Sequence, residues 1–142
     1  MSKPDLIQAY RETDYHFAEI VLTINKPSTA TATLLKPFAP KGGVFITACN
    51  PMGKVVDADD NELANNALEK DLLSQGLTAI AGYGEGTNEE NGEKHKEDSF
   101  FAYPVDAKTS LNLCVKYEQN AVVCVDSNGL PSLKFHPAFE NQ

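Results

Sequence analysis

The chain has no tryptophan, only three cysteines and few basic residues. The last two shortages limit the cell compartment and the partners that we expect for it. Its 12 Lys and Arg stand against 20 Asp and Glu, which gives a formal net charge of −8. Such a chain offers no basic patch for phosphates or for an anionic bilayer, so we expect no nucleic acid and no membrane as a partner. No apolar run approaches the roughly 18 residues of a membrane span.

The three cysteines and the first residues indicate the compartment. Cys49, Cys114 and Cys124 form no CxxC pair, and each lies in an apolar run, which is typical of buried free thiols in a reducing environment. The opening MSKPDLIQAY lacks the apolar core of a secretion signal, so we expect a cytoplasmic protein. The three histidines have no ligand spacing, and the sequence indicates neither a metal nor a cofactor.

The acidic residues are concentrated in one half of the chain. Residues 57–98 contain twelve Asp and Glu against three Lys, a net charge of −9 in that segment. A solvated acidic surface is the ordinary interpretation. A basic protein partner is the alternative.

The length and the residue pattern predict one α/β (α+β) domain over residues 1–137, followed by a loose tail at 138–142. A helix starts at residues 2–5, and three more are predicted at 28–35, 59–75 and 106–117. Strands are predicted at 15–24, 43–49, 77–83, 99–105, 121–126 and 130–135. Alternating helices and strands with two hairpin-like links predict a mixed sheet of about six strands, with helices packed on it.

Two short motifs fail as functional signatures. GYGEGT, residues 82–87, lacks the last glycine of a dinucleotide-binding loop. The polar segment 84–96, which overlaps it, predicts a flexible loop where such a motif would be followed by a helix. Cys49 is a conceivable nucleophile beside Asn50, but neighbouring side chains of a strand point apart. Burial is therefore our interpretation of Cys49.

Polar side chains recur where apolar elements begin or end. These residues are Asn50, Asn61, Asn65, Glu97, Ser99, Gln119 and Asn120. Asn61 and Asn65 are four residues apart and share one helix face. Each residue has an ordinary structural interpretation as a cap or a turn. Together they predict one polar site.

These motifs resemble those of the bacterial domain-of-unknown-function 3293 family. The similarity runs through Tyr10 and Tyr15 in YRETDY, Asn50 in FITACNP, DNELANNALEKDL, EDSFF and QNAVV, over roughly residues 10–130. The family usually has an aromatic residue just before the Glu-x-Ser motif, where this chain has His95 and Lys96. No activity is assigned to the family, so the resemblance implies a site and no reaction.

The residue types suggest the chemistry of that site. Asn50, Asn61, Asn65, Gln119 and Asn120, with Tyr10 and Tyr15, suit a small neutral hydrogen-bonding ligand such as a nucleobase or an amide. Glu97 is the obvious general acid or base, and we predict Glu97 and Ser99 as the catalytic residues of any turnover at this site. Three hypotheses stay open: a small-molecule site with or without turnover, an acidic protein-interaction or inhibitor module, and a buried polar network that fixes the fold. Whether the protein is an enzyme is left open.

Overall fold

A computed structural model describes residues 2–87 and 91–141. Its helices are α1 (Lys3–Glu12), α2 (Thr29–Leu35), α3 (Ala58–Ser74), α4 (Ala107–Lys116) and α5 (Pro137–Glu140), with single 3-10 turns at Lys36–Phe38 and Pro51–Gly53. Its strands are β1 (Asp14–Phe17), β2 (Ile20–Leu22), β3 (Gly42–Ile46), β4 (Thr78–Thr87), β5 (Lys94–Val105), β6 (Ala121–Val125) and β7 (Pro131–Phe135).

The strands form one seven-stranded, curled sheet in the order β2-β1-β4-β5-β3-β6-β7. The predicted fold class, helices packed on a sheet of about six strands, is confirmed. All six pairings between the described strands are antiparallel, although the alternation of helices and strands led us to expect some parallel neighbours. Strands distant in sequence, such as β3 and β6, pair antiparallel through long connections that the residue pattern does not orient.

The described α-helices begin at side-chain caps. Ser2, Asp57 and Asp106 each accept a hydrogen bond from the backbone N–H three residues further on, which satisfies a donor that the first turn leaves free. Helix α3 ends at Gly76, whose φ of 79° lies in the left-handed region. None of the described helices combines the length and apolar character needed to cross a bilayer.

Apolar side chains alternate along the central strands and build a core on each face of the sheet. Val44 and Ile46 face α3 and α4, where Leu68, Leu72 and Leu113 complete one buried cluster. The intervening Phe45 faces the other way and packs with a second cluster of buried residues: Tyr15, Phe17, Leu22, Ile24, Leu35, Phe101, Val123 and Val125. The period-2 alternation of β3 thus serves both cores.

The strand predicted at 15–24 is a hairpin in the structure. β1 and β2 pair through Phe17 and Ile20, and Ala18 turns the chain with a φ of 50°. The prediction of one strand was wrong because HFAEIVL contains none of the Gly, Pro or Asn residues that normally mark a turn.

The flexible loop predicted at 84–96 is also corrected. β4 and β5 pair without interruption from Thr78–Tyr103 to Thr87–Lys94, and residues 88–90 lie outside the described part. Backbone hydrogen bonds hold this hairpin, and Tyr83 adds contacts on one face: its ring stacks on His16 at 4.5 Å, and the Lys96 ammonium lies 4.5 Å from it. A low apolar content therefore did not mean an unpaired segment.

The segment after Pro137 differs from the expected loose tail. Pro137–Glu140 form α5, and Phe139 is 1% exposed. Its ring lies 5.8 Å from that of Phe135 and 6.3 Å from that of Tyr10. One aromatic side chain thus anchors the C-terminal segment against α1.

Asp71 joins the two helices that cover one face of the sheet. Its carboxylate on α3 accepts hydrogen bonds from Lys116 Nζ at 2.7 Å, Tyr117 Oη at 2.6 Å and Gln75 Nε2 at 2.9 Å. The Lys116 bond, followed by those from Tyr117 and Gln75, lowers the pKa of Asp71 to about 2. The ionised form is therefore favoured in the folded protein.

We expect Asp71→Asn to lower the free energy of unfolding by about 1 kcal/mol at pH 7. Because the folded pKa is depressed, the stabilisation by Asp71 is present above the unfolded value near 3.9 and is lost as the pH falls through about 2. Urea melts at pH 7 and near pH 2 should show the wild-type advantage shrinking. Glu62→Gln, on the exposed surface of α3, is the control; an equal deficit for Asp71→Asn at both pH values would contradict the prediction.

Candidate functional site

A cleft of about 800 Å³ opens on the face of the sheet that carries the Phe45 and Phe101 cluster. Its walls come from α1, β1, β4, β5, the segment after β3 and the start of β6. Seven of the nine residues predicted from the sequence line it: Tyr10, Tyr15, Asn50, Glu97, Ser99, Gln119 and Asn120. The separated motifs therefore meet in one concavity, while Asn61 and Asn65 support its wall from α3.

Asn50 is held in a fixed orientation where the chain leaves β3. Its backbone is in the left-handed region (φ 48°), and its Oδ1 accepts from the Val56 N–H at 3.1 Å and from Asn61 Nδ2 at 3.0 Å. Asn61 Oδ1 accepts the Asn50 N–H in return, at 2.9 Å. With both acceptor positions of Oδ1 occupied, the Asn50 Nδ2 donor is turned to Glu97 Oε2, at 3.4 Å.

Asn65 is a buried clamp that joins α3 to the segment after β3 and to the middle of β5. Its Oδ1 accepts the Ala48 N–H at 2.8 Å, and its Nδ2 donates to the Asp98 carbonyl at 2.9 Å and contacts Cys49 Sγ at 3.2 Å. Protein contacts occupy the whole amide, so Asn65 positions the cleft wall and does not line the cleft.

Glu97 brings a sparsely partnered carboxyl group into the cleft. Among the described residues, its side chain makes one hydrogen bond, the 3.4 Å contact with Asn50 Nδ2. Burial raises the pKa of Glu97 and the bond from Asn50 opposes that rise. Ser99, two residues along the same strand face, is 4% exposed, and its hydroxyl donates to the Glu97 carbonyl at 3.0 Å.

Two tyrosines form the wall opposite Glu97. Tyr15 Oη donates to the Tyr10 carbonyl at 2.6 Å and ties β1 to the end of α1. The Tyr10 hydroxyl lies 3.2 Å from Asn120 Nδ2. Burial raises the pKa of both phenols, so both are neutral hydrogen-bonding groups near neutral pH.

Gln119 closes the cleft beside Asn120. It is 7% exposed, and its Nε2 donates to the carbonyls of Cys49 and Tyr117, each at 3.1 Å. Only the nitrogen of an amide can donate to two carbonyls, so this geometry fixes Oε1 as the free end. Among the described residues, Gln119 Oε1 has no hydrogen-bond donor and is available to the cleft.

Sequence analysis missed the floor of the cleft. Gly84 and Gly86 of β4 and His95 of β5 line it, although all three were assigned to a flexible loop. The available signal was the alternate spacing of Gly82, Gly84 and Gly86, which leaves one face of a strand without side chains. Cys49 also lines the cleft, and because burial raises its pKa it is a neutral thiol.

The charge of the lining limits what the cleft accepts. Glu12 and Glu97 are its carboxylates, and the described lining contains no lysine or arginine. Within residues 2–87 and 91–141, no three His, Cys, Asp or Glu side chains are grouped to hold a metal ion. A phosphate-rich ligand would meet negative charge without a compensating cation.

Comparison with known proteins places the chain in a family. A family model described as a protein of unknown function (DUF3293) matches residues 46–122, more than half of the 142 residues. The chain belongs to this family, as the resemblance in its motifs predicted. The match includes Asn50 and Glu97 but stops short of Tyr10 and Tyr15. No curated protein and no solved structure matches the chain.

The role of Asn65 as a clamp predicts a large stability loss. We expect Asn65→Ala to lower the free energy of unfolding by about 2–4 kcal/mol, because the buried Ala48 N–H loses its partner and the Asp98 carbonyl keeps only its contacts with Thr47 Oγ1 and Cys49 Sγ. The exposed neighbour Asn66 is the matched control, and Asn66→Ala should change stability by less than about 0.5 kcal/mol. Equal urea midpoints for the two variants would contradict the clamp.

Proposed function

We propose that the cleft binds a small hydrogen-bonding molecule and that Glu97 is the side chain that anchors it and exchanges a proton with it. The observation that carries this proposal is the state of the Glu97 carboxyl group. It is half-buried in the cleft wall, and a single 3.4 Å hydrogen bond is its only side-chain contact of that kind among the described residues. The carboxyl group therefore keeps acceptor positions that open to the cleft, and a ligand can fill them.

The surroundings of Glu97 suit acid–base chemistry. Burial raises its pKa above that of an ordinary glutamate, and an upward shift favours a carboxyl group as a general acid or base. Asn50 is locked by Asn61 and the Val56 N–H, so the carboxyl group has a fixed neighbour. The Ser99 hydroxyl donates a hydrogen bond to the Glu97 carbonyl, and its oxygen can still accept a hydrogen bond from the cleft. Its role is therefore to bind and orient the ligand.

The size and polarity of the cleft support a small molecule over a protein partner. About 800 Å³ is within the range of ordinary ligand pockets. Its polar groups converge from elements far apart in sequence and lie beside apolar lining residues such as Phe45 and Val123.

A thermal-shift screen tests binding directly. Nucleosides, nucleobases and small amides are the first compounds, with nucleotides as the anionic comparison. A ligand present at 100 times its dissociation constant stabilises the fold by about 2.7 kcal/mol. Nucleotides should stabilise less than the matching nucleosides, because the lining lacks basic residues.

We expect Glu97→Gln to abolish binding while changing the free energy of unfolding by less than about 1 kcal/mol. The amide keeps the shape but removes the negative charge and the exchangeable proton. Turnover, where the ligand is a substrate, should fall by about 10² or more. Asp98→Asn, the same change on an adjacent exposed residue, is the matched control.

Calorimetric titration and urea melts of both variants distinguish the alternatives. A stability loss of several kcal/mol for Glu97→Gln would assign Glu97 to a structural network. Unchanged binding and unchanged stability would assign it to the acidic surface.

A further inference from the structure

The floor of the cleft contains a glycine that the fold itself does not require. Gly84 pairs with Tyr15 on β1 and with Glu97 on β5, so these three residues form one row across the sheet. Residues directly opposite in antiparallel strands place their side chains on the same face. The row therefore holds a phenol at one end, a carboxyl group at the other and bare backbone between them, across two strand spacings or roughly 10 Å.

Neither backbone strain nor crowding explains Gly84. Its φ is outside the left-handed region, and β4 pairs with both neighbours without a bulge. A Cβ built there would have its nearest contacts at 3.5 Å to Thr13 Cγ2 and 3.9 Å to Tyr15, which is ordinary packing. At Gly82, by contrast, a Cβ would lie 2.0 Å from the His16 carbonyl oxygen, so the fold requires glycine there.

Apart from bulges and bends, glycine in a strand interior is typical of places where a ligand or another backbone approaches closely. The groups around Gly84 indicate what that molecule carries. The sparsely partnered Glu97 carboxyl and the free Gln119 Oε1 are both acceptors, and no lysine or arginine lines the described cleft. Gln119 Oε1 is open to the cleft and accepts hydrogen bonds, so an N–H donor on a ligand suits it.

We infer that the ligand is a flat ring with an amidine-type edge, N–C–N bearing N–H groups, which lies against the Gly84 backbone and pairs in two places with the Glu97 carboxyl. This inference rests on the proposed function and specifies its ligand class. A carboxyl group matches such an edge in either protonation state: as a carboxylate with an amidinium, or as a neutral acid with an aminopyrimidine-type edge. Tyr10 and Tyr15 supply the aromatic wall beside the ring.

Titration calorimetry with defined probes tests the inference on the full chain. The flat probes are adenine, cytosine, 2-aminopyridine and benzamidine, and cyclohexanecarboxamidine is the puckered counterpart of benzamidine. At least one flat probe should bind, and benzamidine should bind about tenfold or more tightly than its puckered counterpart. Because the two compounds have the same charge and the same amidine group, the difference in affinity reports the shape of the ring.

Gly84→Ala should weaken flat-probe binding by about 10- to 200-fold, the range of one extra carbon in a pocket. Ala81→Ser, which adds one heavy atom to the exposed outer face of β4, is the matched control and should bind like wild type. If Gly84→Ala does not fold by circular dichroism, the comparison of benzamidine with its puckered counterpart on wild type decides alone.

The outcomes separate this inference from the proposed function. Equal affinity for the flat and puckered amidines, or unchanged affinity in Gly84→Ala, overturns the flat-ligand inference. So does a screen in which only compounds without an amidine edge bind. In each of these cases the proposed function stands if Glu97→Gln still abolishes the binding observed. No Glu97-dependent binding by any compound overturns both.

Discussion

The amide of Asn65 is the contact on which the site depends. It bonds the backbone on both sides of the gap between the end of β3 and the middle of β5, beside a second bridge in which Thr47 Oγ1 accepts the Cys49 N–H and donates to the Asp98 carbonyl. The two bridges together fix how far the segment carrying Asn50 lies from the strand carrying Glu97. Buried backbone groups need hydrogen-bond partners, and the Asn65 side chain supplies them for the Ala48 N–H and the Asp98 carbonyl. With the Thr47 bridge, the same two bonds set the geometry of the cleft.

Polar residues at the site therefore divide into two layers. Asn61 and Asn65 on α3 make their hydrogen bonds within the protein, and these bonds hold Asn50 and the residues before it in place. Asn50 then directs one donor at Glu97, which retains most of its capacity for a ligand. The hypothesis of a buried polar network thus describes Asn61 and Asn65, and the hypothesis of a binding site describes the residues that they support.

The sequence predicted four of the five described helices, the central strands and seven of the residues that line the cleft, because caps, apolar periodicity and polar residues at element ends are local signals. It did not predict the β1–β2 turn, since Ala18 is not a turn residue, nor the full hairpin of β4 and β5, whose pairing comes from the backbone. Asn61 and Asn65 share a helix face as expected, but only tertiary contacts tell a supporting amide from a lining one. Strand order likewise depends on contacts distant in sequence.

The contact between Tyr10 and Asn120 spans 110 residues of sequence and has a consequence for synthesis. Tyr10 leaves the ribosome 110 residues before Asn120, so the aromatic wall exists before the side chain that its hydroxyl contacts. Closing so long a loop is slow compared with forming local helices and hairpins. A nascent chain thus carries Tyr10 and Glu97 well before it has a complete cleft, and ligand affinity would report that the last strands have joined the sheet.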